Sequence, residues 1–282
     1  MHLTTIAAAV GLAWILRTID LPNPDSGNYD LRWQHALLQF SLPPLLLLAT
    51  AVAIVCMGPV GQMVWQWEGW SCDLLAVGFL AYSLVVGGQL FAEVRRSLRQ
   101  IRTYPHRSIL GHSSRLLETP LVFSAQIGLW QPELVVSQGL LDTLDREHLQ
   151  AVLAHENAHL YYRDTFWFFG LGWMRRFSSW LPDTEVLWQE LLLLREIRAD
   201  RQAAQHVDPL LLAESLLFVA RAPLQHAESF CAAFSCAAPR SRIEERIDAL
   251  LVESPVPPKT NWQAIAWLSL TFIPLFAIPF HH

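Results

Sequence analysis

The chain alternates between long uncharged apolar stretches and one extended region where apolar and charged positions mix. A helix needs roughly 20 apolar residues to cross a bilayer, and four stretches are read as spans on that ground. They lie at about residues 3–19, 36–57, 73–93 and 260–282. The second contains LPPLLLLATAVAIVCM, with Pro43 and Pro44 in a row. Spanning helices tolerate such prolines because neighbouring groups take over the freed backbone positions. The first stretch lacks the positive start and the small-residue cleavage site of a signal peptide, so it is read as a retained span.

Between the third and fourth stretches, residues 95–259 have a different pattern. Thr119 to Ser124 (TPLVFS) and Glu133 to Ser137 (ELVVS) read as the two strands of a hairpin, with Gly128 and Pro132 in the connection. Helices are predicted over about Asp145 to Arg163, Asp183 to Gln205 and Pro209 to Arg221. The aromatic run Phe166 to Trp180 is too short to cross a bilayer and is read as core or as a membrane-surface segment. Ser254 to Lys259 (SPVPPK) reads as a linker. The domain organisation that follows is a membrane region over 1–94, a mixed region over 95–259, and a fourth span with its tail over 260–282.

Composition sharpens this picture. Apolar residues make up 52% and charged residues 16% of the 282 positions, where a soluble domain carries about 25% charged residues. The missing charge is concentrated in the apolar stretches. The net charge of -5 gives no support to nucleic-acid binding, which usually needs a basic face. Arg95, Arg96, Arg99, Arg102 and Arg107 follow the third span, so the mixed region is expected on the cytoplasmic side. The loop before that span has Glu68 and Asp73 without Lys or Arg and is expected outside. The cysteines Cys56, Cys72, Cys231 and Cys236 form no CxxC, so neither a disulfide framework nor a cysteine zinc cluster is expected.

The strongest chemical signal is His155-Glu156-Asn157-Ala158-His159, an HExxH pattern in a predicted helix. Positions i and i+4 share a helix face, so both imidazoles can reach one metal ion. Catalytic zinc takes three protein ligands and keeps one position for water. Glu156 is placed to act on that water as general base. A third ligand must come from another element. Glu196 and Asp200, in REIRAD, are themselves i and i+4: one can bind zinc while the other accepts the N–H of a zinc histidine. Tyr161, Tyr162, His206, Arg198 and Arg201 are candidates for stabilising the oxyanion, with no sequence ground to choose among them. Val122 to Ser124 is a candidate edge strand for extended substrate. The terminal His281 and His282 are read as inert.

The stretch VVSQGLLDTLDREHLQAVLAHENAHLYYRD followed by REIRAD resembles the catalytic region of membrane-bound gluzincin peptidases. With three spans before the zinc region and one after it, the whole resembles the BlaR/MecR-type antirepressor peptidases. The CAAX prenyl-protease and heat-shock membrane protease group is similar mainly in the catalytic part. The resemblance implies a mainly α membrane protein with four transmembrane helices and a cytoplasmic α+β gluzincin-type zinc domain between the third and fourth. It implies His155, His159 and Glu196 as zinc ligands, Glu156 as base and Asp200 behind the ligands. It also implies endopeptidase activity on a protein substrate, with a DNA-binding repressor as the leading expectation, in a multi-pass bacterial plasma-membrane protein that contacts lipid but not nucleic acid. The penicillin-binding sensor domain that follows the last span in the best-known of these relatives is not in this sequence, and β-lactam sensing is not expected of it.

Overall fold

The computed structural model describes residues 2–19, 28–58, 66–221, 242–251 and 269–280. They form two compact units. The first is drawn from Met1–Gly88, Trp173–Leu191 and Pro257–His282, the second from Gln89–Gly172 and Leu192–Val256.

The first unit contains α1 (His2–Thr18), α2 (Tyr29–Met57), most of α3 (Gln66–Ile101), the end of α6 (Asp164–Phe177), the start of α7 (Thr184–Ala203) and a 3-10 segment, Leu270–Phe280. Asn28 starts α2 by accepting from the Leu31 N–H. Both prolines lie buried inside α2. Pro44 has no N–H to offer the carbonyl four residues back, which belongs to Phe40. The buried guanidinium of Arg17 donates to that carbonyl instead, at 3.0 Å, and lies over the Phe40 ring. Gln39 Nε2 in turn donates to the carbonyls of Arg17 and Ile19 and closes the end of α1. Trp173 Nε1 donates to Ser83 O at 2.7 Å, against Gly87, where a Cβ would lie 3.2 Å from that nitrogen.

Two of the four expected spans are helices long and apolar enough to cross a membrane, Tyr29–Met57 and Gly69–Ile101. Among the described residues the other two do not form such helices. α1 has 17 residues, about 26 Å at 1.5 Å per residue, short of the roughly 30 Å hydrocarbon core. Of the fourth stretch, residues 260–268, 281 and 282 lie outside the described residues, and the rest is chiefly an 11-residue 3-10 segment that contains Pro274 and Pro279. The expected linker over 254–259 also lies outside the described residues.

The second unit is built on a four-stranded sheet of order β1-β2-β4-β3. The strands are β1 (His106–Ile109), β2 (His112–Leu117), β3 (Ser124–Ile127) and β4 (Glu133–Ser137). Leu110 and Gly111, both at positive φ, turn β1 into β2, the backbone that two-residue hairpins require. β2 runs parallel to β4, and β3 pairs antiparallel with β4 and forms one edge. The expected hairpin is present, but its first strand starts at Ser124 rather than spanning 119–124. Pro120 has no N–H for a ladder, and the carbonyls of Thr119 and Phe123 accept from Gly139 and Ser137.

Helices α4 (Gln138–Thr143), α5 (Arg146–Tyr161), the first half of α6, the second half of α7, α8 (Pro209–Arg221) and α9 (Ile243–Leu251) complete this unit. Buried Ser137 caps α4, its hydroxyl accepting from Leu140 N and Phe123 N. Asp145 caps α5 through His148 N at 2.9 Å. Leu149, Val152 and Leu153 of α5 pack on Leu134 and Val136 of the sheet. Ala151 packs the opposite side of α5 against Ala203, Leu212, Ala213, Leu216 and Leu250. The catalytic-motif helix is therefore fixed on both flanks. The aromatic run 166–180 is helical through Phe177, and within it Phe168 and Phe177 are buried while Trp167 is 61% exposed.

Candidate metal centre

His155 and His159 project from α5 one turn apart, as i,i+4 spacing requires, and Glu196 reaches them from α7. His155 Nε2 lies 3.1 Å from His159 Nε2 and 3.3 Å from Glu196 Oε2; His159 Nε2 lies 3.7 Å from Glu196 Oε1. Zinc–ligand bonds of about 2.0–2.1 Å place the ligand atoms of a tetrahedron roughly 3.3 Å apart, so the triad has the size the ion needs. Both side-chain chemistries are zinc's own, and the three residues form the candidate metal group among the described residues.

Behind each ligand stands a carboxylate or a guanidinium. Asp200 Oδ1 lies 2.7 Å from His155 Nδ1. Asp164 Oδ2 lies 2.7 Å from His159 Nδ1. Each contact leaves Nε2 as the nitrogen that faces the metal position. Arg195 grips Glu196 Oε1 with two donors at 2.7 and 2.9 Å. Arg198 donates to Asp164 and lies over the Tyr162 ring. Arg246 of α9 grips both oxygens of Asp200 at 2.8 Å.

Glu156, 7% exposed, sits beside His155 and accepts from Ser124 Oγ at 2.7 Å. Ser124 is the first residue of the edge strand β3, so that strand starts against the carboxylate. Of the other sequence candidates, Tyr162 donates to Gln202 at 3.2 Å. Tyr161 and His206 line a separate cavity of about 250 Å³ with Gln150, Asn157 and Gln202, which none of the ligands line. Arg201 is half-buried one residue beyond Asp200.

The electrostatics without metal follow from this packing. Burial opposes charge on His155, but Asp200 and Glu196 outweigh it and push its pKa up to about 10. His159 is raised in the same way, against burial, by Glu196 and Asp164. Burial would raise the carboxyl of Glu196, yet Arg195 and the imidazoles hold it well below the usual range. Asp200 is likewise lowered against burial by Arg246 and His155. A site with ionised carboxylates and proton-holding imidazoles exchanges those protons for a divalent cation.

Sequence reasoning missed Asp164, Arg246 and Ser124's contact with Glu156. Asp164 carried the only local signal, an acidic residue five positions after the second histidine. It comes back to His159 because Arg163 adopts φ 53 and reverses the chain between α5 and α6.

Residues 123–222 match the model of Peptidase family M48. No curated protein and no solved structure matches the chain. The matched segment holds the histidines, Glu156 and Glu196. The protein therefore carries an M48 domain and is a zinc metallopeptidase whose metal triad is His155, His159 and Glu196.

Proposed function

We propose that this metallopeptidase is an integral-membrane endopeptidase that cuts a cytoplasmic or membrane-proximal protein, and that it acts in signalling by cleaving a repressor, as the BlaR/MecR-type peptidases do. The observation that carries the endopeptidase reading is the junction of edge strand and motif. β3 is paired on one side only, and its first residue touches Glu156. An extended substrate added to that edge would run past the triad with its backbone fixed by ladder hydrogen bonds.

When bound, zinc supplies a Lewis acid that polarises the scissile carbonyl and lowers the pKa of its water. Glu156 takes the proton from the attacking water and returns it to the departing amine. Ser124 holds one oxygen of Glu156 and leaves the other for this exchange. Asp200 keeps His155 in the tautomer that presents Nε2. The arginines following Ile101 and within the last turns of α3 support a cytoplasmic site.

The same experiment tests a second reading, a quality-control peptidase for membrane proteins, against signalling. In cells making the wild-type chain or Glu156→Gln, new protein N-termini are compared. A wild-type-dependent cut in a DNA-binding repressor supports signalling. Cuts confined to membrane proteins favour quality control. No cut that depends on Glu156 overturns the endopeptidase reading.

A further inference from the structure

Four carboxylates (Glu156, Asp164, Glu196 and Asp200) are buried around the metal position, and three guanidiniums answer them. Buried carboxylates need such partners, because an unpaired charge in the interior is costly. Two of the guanidiniums, Arg195 and Arg198, sit on α7 itself, inside the segment that matches the peptidase family. Arg246 is different. It comes from α9, beyond that segment, 46 residues from the aspartate it holds.

We propose that Arg246 is a positioning residue of the zinc centre, acting through Asp200 on His155, and that α9 is thereby part of the metal site. Arg246 Nε and Nη2 engage the two oxygens of Asp200, each at 2.8 Å. The oxygen facing Nη2 also faces His155 Nδ1 at 2.7 Å. A fork on both oxygens stops the carboxylate from rotating, so its charge stays fixed 2.7 Å from His155 Nδ1 and holds the ring with Nε2 toward the metal position. The third nitrogen, Nη1, lies 3.6 Å from Glu196 Oε2. One guanidinium thus spans the support of one ligand and the flank of another.

The sequence of α9 suits this task. Ile243, Ile247 and Leu250 dock into the cluster formed by Ala151 of α5, Ala203 of α7 and Leu212, Ala213 and Leu216 of α8. Their spacing places Arg246 on the inward face, where it is 9% exposed. The apolar residues of α9 fix the helix, and the arginine spends that fixation on Asp200. Lysine cannot reproduce the arrangement, since a single ammonium does not form a planar fork.

The inference rests on the zinc triad, not on the substrate reading, and its test reads metal rather than proteolysis. In the full chain, Arg246→Lys is expected to weaken zinc binding by about 10–100-fold, the range seen when outer partners of metal ligands are removed, measured by chelator competition. The visible spectrum of the Co2+-substituted protein should shift, while thermal unfolding of the metal-free protein stays near wild type. In an Asp200→Asn background, Arg246→Lys should add no further loss of affinity. Wild-type zinc affinity with an unchanged Co2+ spectrum in Arg246→Lys overturns the proposal. A loss that simply adds to that of Asp200→Asn overturns it as well, because Arg246 would then act by another route.

Discussion

The two units handle polar groups in opposite ways. The second buries four carboxylates and grips three of them with guanidiniums: Asp200 with Arg246, Asp164 with Arg198, Glu196 with Arg195. The first buries polar groups against its own backbone: Arg17 on Phe40 O, Thr50 on Leu46 O, Ser83 on Leu80 O. Its helix α3 turns apolar side chains outward. Leu74, Leu75, Leu84 and Val85 of α3 are 57–72% exposed, and only 22% of the most apolar stretch of α3 is buried, against 61% for α2. A helix that shows leucine outward suits lipid, and a cluster that hides carboxylates suits a metal. One chain therefore presents two surfaces made for different surroundings, and the two long apolar helices associate it with a membrane.

That contrast breaks most readily at the charged end. Zinc must displace protons that the carboxylates hold on His155 and His159. Zinc affinity should therefore fall as pH falls, by up to about a hundredfold per pH unit where two protons are displaced, as competition titrations across pH would show. The metal-free protein has the opposite sign. His155, raised to about 10, stabilises the fold fully below its unfolded value of about 6.5 and ceases to do so as pH climbs through about 10. Denaturation of the apo chain at pH 8 and pH 11 checks this.

The apolar end comes next. Leu84, 72% exposed on α3, tests whether that face meets lipid. Leu84→Lys should cost about 2.5–3.5 kcal/mol of membrane insertion if Leu84 lies at mid-bilayer, and close to nothing if the face meets water; insertion assays separate the two. A smaller effect sharpens the site itself. Asp164→Asn keeps the shape but not the charge that holds His159, and zinc affinity should drop about 10–100-fold with Glu196 and His155 intact. The smallest expected change is Ser137→Ala, which removes the acceptor for Leu140 N and Phe123 N. It should lower unfolding stability by about 1–2 kcal/mol without altering metal affinity.

What the sequence made legible follows the range of each interaction. The i,i+4 pairs His155/His159 and Glu196/Asp200 are local, and the structure brings all four side chains together. The helix starting after Asp145 was readable from its cap, and α8 from its apolar run. The β1–β2 hairpin was not, because HRSI and HSSRLL lack alternating apolar residues and β1 is almost wholly exposed. Arg246 was beyond reach for another reason: nothing in IEERIDALL distinguishes the arginine that turns inward from an ordinary charged face. Of the expected spans, two are long apolar helices among the described residues, and α1 is shorter because hydropathy alone does not show where a helix ends, as α1 does after Thr18.

The central claim is that Glu156 does the proton work in a centre whose metal it does not bind. The most direct measurement is zinc stoichiometry and peptide hydrolysis on the same preparation of Glu156→Gln. The account predicts one zinc per chain, as in the wild type, with hydrolysis reduced by about 10²–10⁴-fold. Hydrolysis at the wild-type rate, or loss of the zinc along with the activity, would contradict it.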